Sequence, residues 1–232
     1  MHRSTAVSAC AVAATVLAAS AGVSTSAWAQ TAHSFYASGT EIAAPQHGAL
    51  ALRERPGSRR VIGWSRTETA FGSETRLAVV GKGGGWLEVI SDQLGNDVHG
   101  YIRRSDVRLA RRPFVLEADL SRRQLSVWRW GLRVQRFRIA IGARISPTPT
   151  GRFSVTDKLR DYTPSTYGCC ILALSGHQTH LPPGWSGGDR LAIHEGDNLG
   201  KAVSAGCLRA GHIDMEYLMR TIPLGTKIVI HP

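Results

Sequence analysis

The sequence predicts a mainly β protein in two parts, a small barrel followed by a β-sandwich with one short helix. Apolar runs of strand length recur along the chain between turns rich in glycine and proline, which is typical of barrels and sandwiches. Only the stretch 215–222 places apolar residues at helical spacing. The 232 residues, of which 43% are hydrophobic and 19% charged, are enough for one large domain or two small ones.

The N-terminus, residues 1–29, is interpreted as a secretory signal peptide. Arg3 gives a positive start, residues 6–19 are apolar and rich in alanine, and Ala-Trp-Ala at 27–29 fits a cleavage site of the small-x-small type. No other run approaches the ~18 apolar residues that a membrane span requires. We therefore expect an exported protein, in the periplasm or in the cell wall or extracellular space, without a membrane span after cleavage.

The chain is strongly basic, with 28 Lys and Arg against 17 Asp and Glu and a formal net charge of +11. Its arginines occur in scattered pairs, without a basic helix or an aromatic-interleaved platform: Arg59-Arg60, Arg103-Arg104, Arg111-Arg112 and Arg122-Arg123. This distribution argues against nucleic acid as a partner. Anionic wall polymers or the carboxylates of a cell wall account better for the charge of an exported protein.

Residues 34–110 are predicted to form the first domain. Two apolar runs, 77–81 and 86–90, flank a glycine cluster and predict a β-hairpin. Three stretches of this part resemble bacterial Src-homology-3-like domains, which accompany cell-wall enzymes: 86–89, 100–102 and 105–107. A wall-binding role and a role as a spacer or a wall of the active cleft both stay open.

Residues 113–232 are predicted to form the second domain, which begins with three strands at 114–120, 124–130 and 132–141. The apolar alternation of the third strand slips near Gln135-Arg136, which predicts a β-bulge. The segment between Arg160 and Asp189 lacks a regular pattern and is interpreted as a lid or cleft wall. A helix follows later, its apolar face formed by Met215, Leu218, Met219 and Ile222, and Pro223 ends it.

Three cysteines remain after signal cleavage, and this odd number favours a free thiol at Cys207. We expect Cys169 and Cys170 to be one buried and one exposed thiol, with a vicinal disulfide as the alternative. His177 and His180, near this pair, are an alternative zinc site, but the cysteine spacing is not that of zinc ligands and no second paired cluster follows. We predict no metal.

The stretch 191–209 holds the candidate catalytic pair. A short apolar run ends at His194, a glycine-containing loop follows, and the chain then presents Cys207. A cysteine near its ordinary pKa of ~8.5 is mostly protonated at neutral pH, and an imidazole base activates it for attack on a carbonyl. Gly206 allows a substrate carbonyl to approach the backbone amides around Cys207, and Arg209 offers a planar fork for a carboxylate.

Three separated motifs, in order, resemble the L,D-transpeptidase catalytic domain over residues 113–232. The first is the Ser204-x-Gly206-Cys207-x-Arg209 run after a strand that ends in His194. The others are Pro-Thr-Pro-Thr-Gly-Arg-Phe-Ser-Val at 147–155 and the closing Pro-Leu-Gly-Thr-Lys-Ile-Val-Ile at 223–230.

This resemblance implies a peptidoglycan L,D-transpeptidase that needs neither metal nor organic cofactor. Cys207 would be the nucleophile on donor stem tetrapeptides, forming a thioester and expelling D-alanine, and His194 the proton donor and acceptor. Ser204 and Gly206 would belong to the loop that orients the pair and supplies oxyanion donors, and Arg209 would clamp a carboxylate. The resemblance also implies that carbapenem-type β-lactams acylate the cysteine.

The chain departs from the family pattern in several places. Ala205 stands where many members have histidine, and Glu195 stands between the histidine and Gly196, so we expect its carboxylate to raise the pKa of the imidazole. The loop that leads to the cysteine is also shorter than is common. A cysteine-dependent wall peptidase or carboxypeptidase, including a papain-like one, and a non-catalytic wall-binding module remain as alternatives.

Overall fold

The computed structural model describes residues 36–160 and 165–232, together with Met1. The signal-peptide prediction therefore falls, Met1 apart, outside the described residues. Among the described residues, every helix is too short or too polar to traverse a lipid bilayer. The prediction of a mainly β chain is confirmed, because residues 36–160 and 165–232 contain seventeen strands in three sheets.

The N-terminal part forms a seven-stranded sheet in the order β3-β2-β6-β5-β4-β1-β7. Its strands are β1 (Thr40–Pro45), β2 (Leu50–Arg53), β3 (Val61–Ser65), β4 (Leu77–Gly83), β5 (Trp86–Ile90), β6 (Gly100–Arg103) and β7 (Val107–Arg112). The predicted hairpin is confirmed, because β4 and β5 pair antiparallel. Gly84 and Gly85, at its turn, both have the positive φ that only glycine adopts readily.

The C-terminal part forms an eight-stranded sheet in the order β10-β9-β8-β17-β12-β13-β14-β16, and β11 pairs with β15 separately. The strands are β8 (Phe114–Asp119), β9 (Gln124–Arg129), β10 (Leu132–Arg138), β11 (Ile141–Gly142), β12 (Gly151–Arg160), β13 (Cys170–His177), β14 (Arg190–Glu195), β15 (Ala202–Ser204), β16 (Leu208–Ala210) and β17 (Lys227–His231). The helix α1 spans His212–Thr221.

Most local predictions for this part are confirmed. The three strands β8, β9 and β10 form the expected antiparallel meander. The register of β10 shifts between Arg133 and Gln135, next to the predicted bulge. The predicted apolar face of α1 is buried in the larger hydrophobic core, with Met215 and Leu218 fully inaccessible.

The prediction of an irregular segment between Arg160 and Asp189 is wrong in its middle. The eight-residue strand β13 lies there, between β12 and β14, and all of it except His177 is buried. A strand that is covered on both faces has no polar face, so the period-two alternation that marks half-buried strands is missing from its sequence.

The preferred expectation for the adjacent cysteines is also wrong, because Cys169 and Cys170 are joined by a disulfide. The described residues contain two separate buried apolar clusters, one within 43–107 and one within 116–230. The domain boundaries 34–110 and 113–232 and the Src-homology-3 resemblance stay predictions.

Candidate active site

The sheet brings Cys207 next to the strand that carries His194. Strand β14 ends just after His194, and Cys207 immediately precedes β16. The two strands pair in parallel, with Ile193 opposite Leu208 and His194 opposite Arg209. Paired residues of parallel strands project from the same face of a sheet, so Arg209 and His194 share a face.

His194 is oriented for use as a base. Its side chain is 4% exposed, and its Nδ1 lies 2.8 Å from the carbonyl oxygen of Glu195. A neutral imidazole that donates Nδ1–H to this carbonyl keeps the lone pair of Nε2 available for a proton. The ring of Tyr167 meets the His194 ring edge-on, at a centroid distance of 5.0 Å.

Burial lowers the pKa of His194 from 6.5 to about 4. The hydrogen bond to the backbone of Glu195 opposes this shift, and the nearby Arg209 guanidinium adds to it. The imidazole is therefore neutral at physiological pH, which is the protonation state that a general base requires.

Cys207 is the free cysteine of the described residues and is partly exposed. Its Sγ lies 4.0 Å from the carbonyl oxygen of Arg190. Burial raises the pKa of the thiol, while a hydrogen bond from the backbone of Ala192 and the charge of Arg209 act in the opposite direction. The raised pKa favours the protonated thiol at neutral pH, so a nucleophilic role for Cys207 requires a base that takes its proton.

The expectation that the Glu195 carboxylate raises the pKa of the imidazole is wrong. Its Oε2 accepts the backbone N–H of Cys169 at 2.5 Å, and its Oε1 lies 3.2 Å from Nδ1 of His212. Of the Glu195 groups, only the backbone carbonyl contacts His194. Burial outweighs this favourable hydrogen bond and lowers the pKa of His194.

Ser204 and Gly206 shape the turn in front of the cysteine. The hydroxyl of Ser204 donates to the carbonyl oxygen of Cys207 at 2.6 Å and accepts the Gly206 N–H at 3.1 Å. Gly206 has φ +119, and a Cβ placed there would lie 2.0 Å from Nε2 of Gln178. Both residues thereby fix the turn, and a direct role in oxyanion binding stays a prediction.

Two buried polar side chains that hold the same turn were not identified from the sequence. Thr148 donates through Oγ1 to the carbonyl oxygen of Gly206 at 2.8 Å. Gln178 donates through Nε2 to the carbonyl oxygens of Pro147 and Ala205, each at 3.0 Å. Thr148 belongs to the motif at 147–155, which could have drawn attention to it. Gln178 has no such signal.

Arg209 is half-buried and close enough to influence the pKa values of both His194 and Cys207. Its role as a carboxylate clamp stays a prediction.

The alternative zinc site would use His177 and His180. Nδ1 of His177 instead lies 3.1 Å from Asp189 Oδ2. Within the described ranges, the groups of side chains with metal-ligand geometry include neither His177 nor His180.

A cavity of about 120 Å³ opens beside the cysteine. Its lining is mainly apolar and comes from the loop between β3 and β4 and from the C-terminal part: Phe71, Leu159, Tyr167, Ile171, Ala173, Gly188, Arg190, Leu191, Ala192 and Cys207. A free cysteine at the edge of a small apolar cavity, next to the strand that carries a buried histidine, is suited to acyl transfer from a carbonyl substrate.

Residues 113–230 match the family model of the L,D-transpeptidase catalytic domain, also called YkuD. A Bacillus licheniformis protein named provisionally as the L,D-transpeptidase YkuD is 28% identical over 123 residues, which cover 52% of this chain and 67% of the relative. A Bacillus subtilis protein with the same name is 30% identical over 101 residues, which cover 42% of this chain and 54% of the relative.

Solved structures with some similarity include an Enterococcus faecium L,D-transpeptidase mutant, at 15% identity and a TM-score of 0.42, covering 71% of this chain and 72% of that one. An L,D-transpeptidase from Mycobacterium tuberculosis also has 15% identity and a TM-score of 0.42, with coverage of 82% and 81%. Similarity at this level carries no inference about this chain.

Proposed function

The chain belongs to the family of L,D-transpeptidase catalytic domains, and from that premise we propose that it is a peptidoglycan L,D-transpeptidase acting through an acyl-enzyme on Cys207. The proposal is supported by the parallel pairing of β14 with β16, because the buried His194 lies on β14 and Cys207, the free thiol of the described residues, directly precedes β16. A free thiol that directly precedes the partner strand of a buried, oriented histidine fits a nucleophile and its base better than a structural cysteine.

In the first half-reaction, Cys207 Sγ attacks the carbonyl carbon of the diaminopimelate-type residue of a donor stem tetrapeptide. Nε2 of His194 takes the thiol proton as the C–S bond forms. The tetrahedral intermediate then collapses, the bond to the terminal D-alanine breaks, and the imidazolium gives its proton to the departing amine. The product is a thioester on Cys207 and free D-alanine.

In the second half-reaction, the amine of an acceptor stem peptide attacks the thioester. His194 takes a proton from this amine, the C–S bond breaks, and the thiol recovers its proton. The raised pKa of the free thiol and the lowered pKa of the imidazole both favour the neutral forms, so proton transfer from the thiol would accompany bond formation rather than precede it.

The turn at residues 204–207 supports both steps. Its backbone is held by Ser204, Thr148 and Gln178, so amides facing the substrate would not need to reorganise as negative charge develops on the carbonyl oxygen. Arg209 would bind a substrate carboxylate on the same face of the sheet as His194.

The proposed place of action is outside the cytoplasm, in the periplasm or at the wall, after removal of residues 1–29. The full sequence has a net charge of +11, to which residues 1–29 contribute only Arg3, so the remaining chain stays strongly basic. This charge supports an approach to anionic wall polymers and to stem peptides rich in carboxylates.

Intact-mass spectrometry with a carbapenem, next to muropeptide analysis with a disaccharide tetrapeptide, tests the proposal. The wild type should gain one drug mass and release D-alanine with a crosslinked dimer, whereas Cys207→Ala should do neither. A tripeptide product without a dimer would instead indicate the carboxypeptidase alternative. If a folded wild type gave neither adduct nor product, the result would favour the alternative of a non-catalytic wall-binding module.

A further inference from the structure

A loop of the N-terminal sheet reaches the cysteine cavity. Residues 66–76 connect β3 to β4, and Phe71 near the middle of this loop lines the same cavity as Cys207. We propose that this loop forms one wall of the acyl-donor site and that Phe71 is a specificity-determining residue, which contacts a small apolar substituent beside the scissile bond. The inference rests on the proposed function and assigns a substrate contact to the N-terminal sheet.

Thr69 anchors the loop to the catalytic sheet. Its hydroxyl donates to Oδ1 of Asp157, a fully buried residue on β12. Thr69 Oγ1 also accepts the backbone N–H groups of Phe71 and Ser73, both at 3.2 Å. One side chain thus joins the loop to the opposite sheet and orients the backbone at Phe71.

Arg190 provides a second anchor, and it contacts both Asp92 and the cysteine. Its Nη1 lies 2.9 Å from Oδ2 of Asp92, in the loop after β5, and its Nη2 donates to Oγ1 of Thr156 at 2.8 Å. The carbonyl oxygen of Arg190 is the group 4.0 Å from Cys207 Sγ. This ion pair is largely enclosed, with side-chain exposures of 19% and 8%, so the N-terminal sheet is fixed close to the thiol.

Asn96 and His177 form a third connection, in which each residue donates to the other. Nδ2 of Asn96 donates to the carbonyl oxygen of His177 at 2.7 Å, and the His177 N–H donates to Oδ1 of Asn96 at 2.8 Å. Together the three anchors join the N-terminal part to the eight-stranded sheet, and the Thr69 anchor lies two residues from Phe71. These contacts restrict movement of Phe71 away from the cavity.

The lining residues determine which substrate substituents the cavity can accommodate. Six of the side chains are apolar: Phe71, Leu159, Ile171, Ala173, Leu191 and Ala192. The guanidinium of Arg190, which also lines the cavity, is already paired with Asp92 and Thr156. A charged group would therefore lose its hydration there without a free partner, whereas a methyl group is favoured by burial. At about 120 Å³ the space is small, and the Phe71 ring limits it on the N-terminal side. The methyl group of a terminal D-alanine has the required chemistry.

The test compares two donors, disaccharide tetrapeptides that end in D-alanine or in D-leucine, with wild type and Phe71→Ala. Enlarging an apolar pocket changes discrimination between substrates that differ by a few methylene groups by roughly tenfold or more. We expect the ratio of kcat/KM for D-leucine over D-alanine to rise by about that factor. Thr69→Val, which detaches the loop and keeps Phe71, should move the ratio in the same direction.

Trp64→Ala is the matched control, because Trp64 is a large exposed aromatic residue of β3 outside the cavity. It should leave the ratio unchanged. The rate of Cys207 alkylation by iodoacetamide should stay within about twofold of wild type in Phe71→Ala, which shows that the site is intact. An equal change with both donors, or no change, overturns the proposal.

A wild type that turns over neither donor would contradict the proposed function, and this outcome is distinct from failure of the Phe71 proposal. In that case the position of Phe71 at the cavity is tested by the rates at which iodoacetamide and its bulkier N-phenyl analogue alkylate Cys207. Phe71→Ala should accelerate the bulkier reagent selectively. Equal acceleration of both reagents would contradict a wall formed by Phe71.

Discussion

Protonation of His194 should destabilise the fold on acidification. Burial places its folded-state pKa at about 4, below the value of 6.5 for the free side chain. The unfolded chain therefore binds the proton more tightly, and stability contributed by the neutral imidazole is lost as pH falls through 6.5 towards 4. A tenfold change in proton affinity is worth about 1.4 kcal/mol, so the full loss is about 3 kcal/mol, of which about 2.5 kcal/mol has occurred at pH 4.5.

Urea unfolding, followed by tryptophan fluorescence between pH 7.5 and 4.5, measures this loss in wild type and His194→Asn. Asparagine keeps a donor near the position of Nδ1 but does not titrate, so the variant should lose about 2.5 kcal/mol less than wild type over that interval. His47→Asn, at an exposed position, is the control and should follow wild type. Parallel losses in wild type and His194→Asn would refute a buried neutral imidazole.

Three further predictions concern the cysteine turn. Alkylation of Cys207 by iodoacetamide should still accelerate above pH 9, because burial raises the pKa of the thiol; a plateau near neutral pH would contradict this. Ser204→Ala should lower the free energy of unfolding by about 1–3 kcal/mol and slow carbapenem acylation, since the buried Gly206 amide loses its acceptor; unchanged melting and acylation would count against it. Gly206→Ala should be more destabilising, by combining a strained φ with a clash against Gln178, and adding Gln178→Ala should restore only part of the melting temperature. Full restoration would show that the backbone strain is unimportant.

Burial shifts both His194 and Cys207 toward their neutral forms, which affects the kinds of inhibitor that we expect to react with the cysteine. A thiol that is not ionised in advance reacts slowly with simple alkylating agents but efficiently with a carbonyl whose attack is coupled to proton transfer. From the low pKa of His194 and the raised pKa of Cys207 we expect activated carbonyls to react in preference to general electrophiles. These shifts come from enclosure by the sheet and are invisible in the motif itself.

Much of the fold was accessible from local pattern. Alternation and glycine turns identified the hairpin at 77–90 and the meander at 114–138, and helical spacing identified α1. Strand β13 was missed because a strand buried on both faces carries no alternation. The pairing of Cys169 with Cys170 was likewise not decidable, because adjacent cysteines permit either redox state.

The sequence by itself determined the chemistry that is available: a free thiol, an imidazole, their order along the chain, and the glycine that the turn between them requires. These follow from residue identity and from backbone preferences between near neighbours, which are encoded locally. The tertiary structure alone decided the direction of the Glu195 carboxylate, the recruitment of Thr148 and Gln178 to the turn, and the position of Phe71 beside Cys207. Each depends on contacts between residues far apart in the chain, such as Thr69 with Asp157, and the burial that sets a pKa exists only once those contacts have formed.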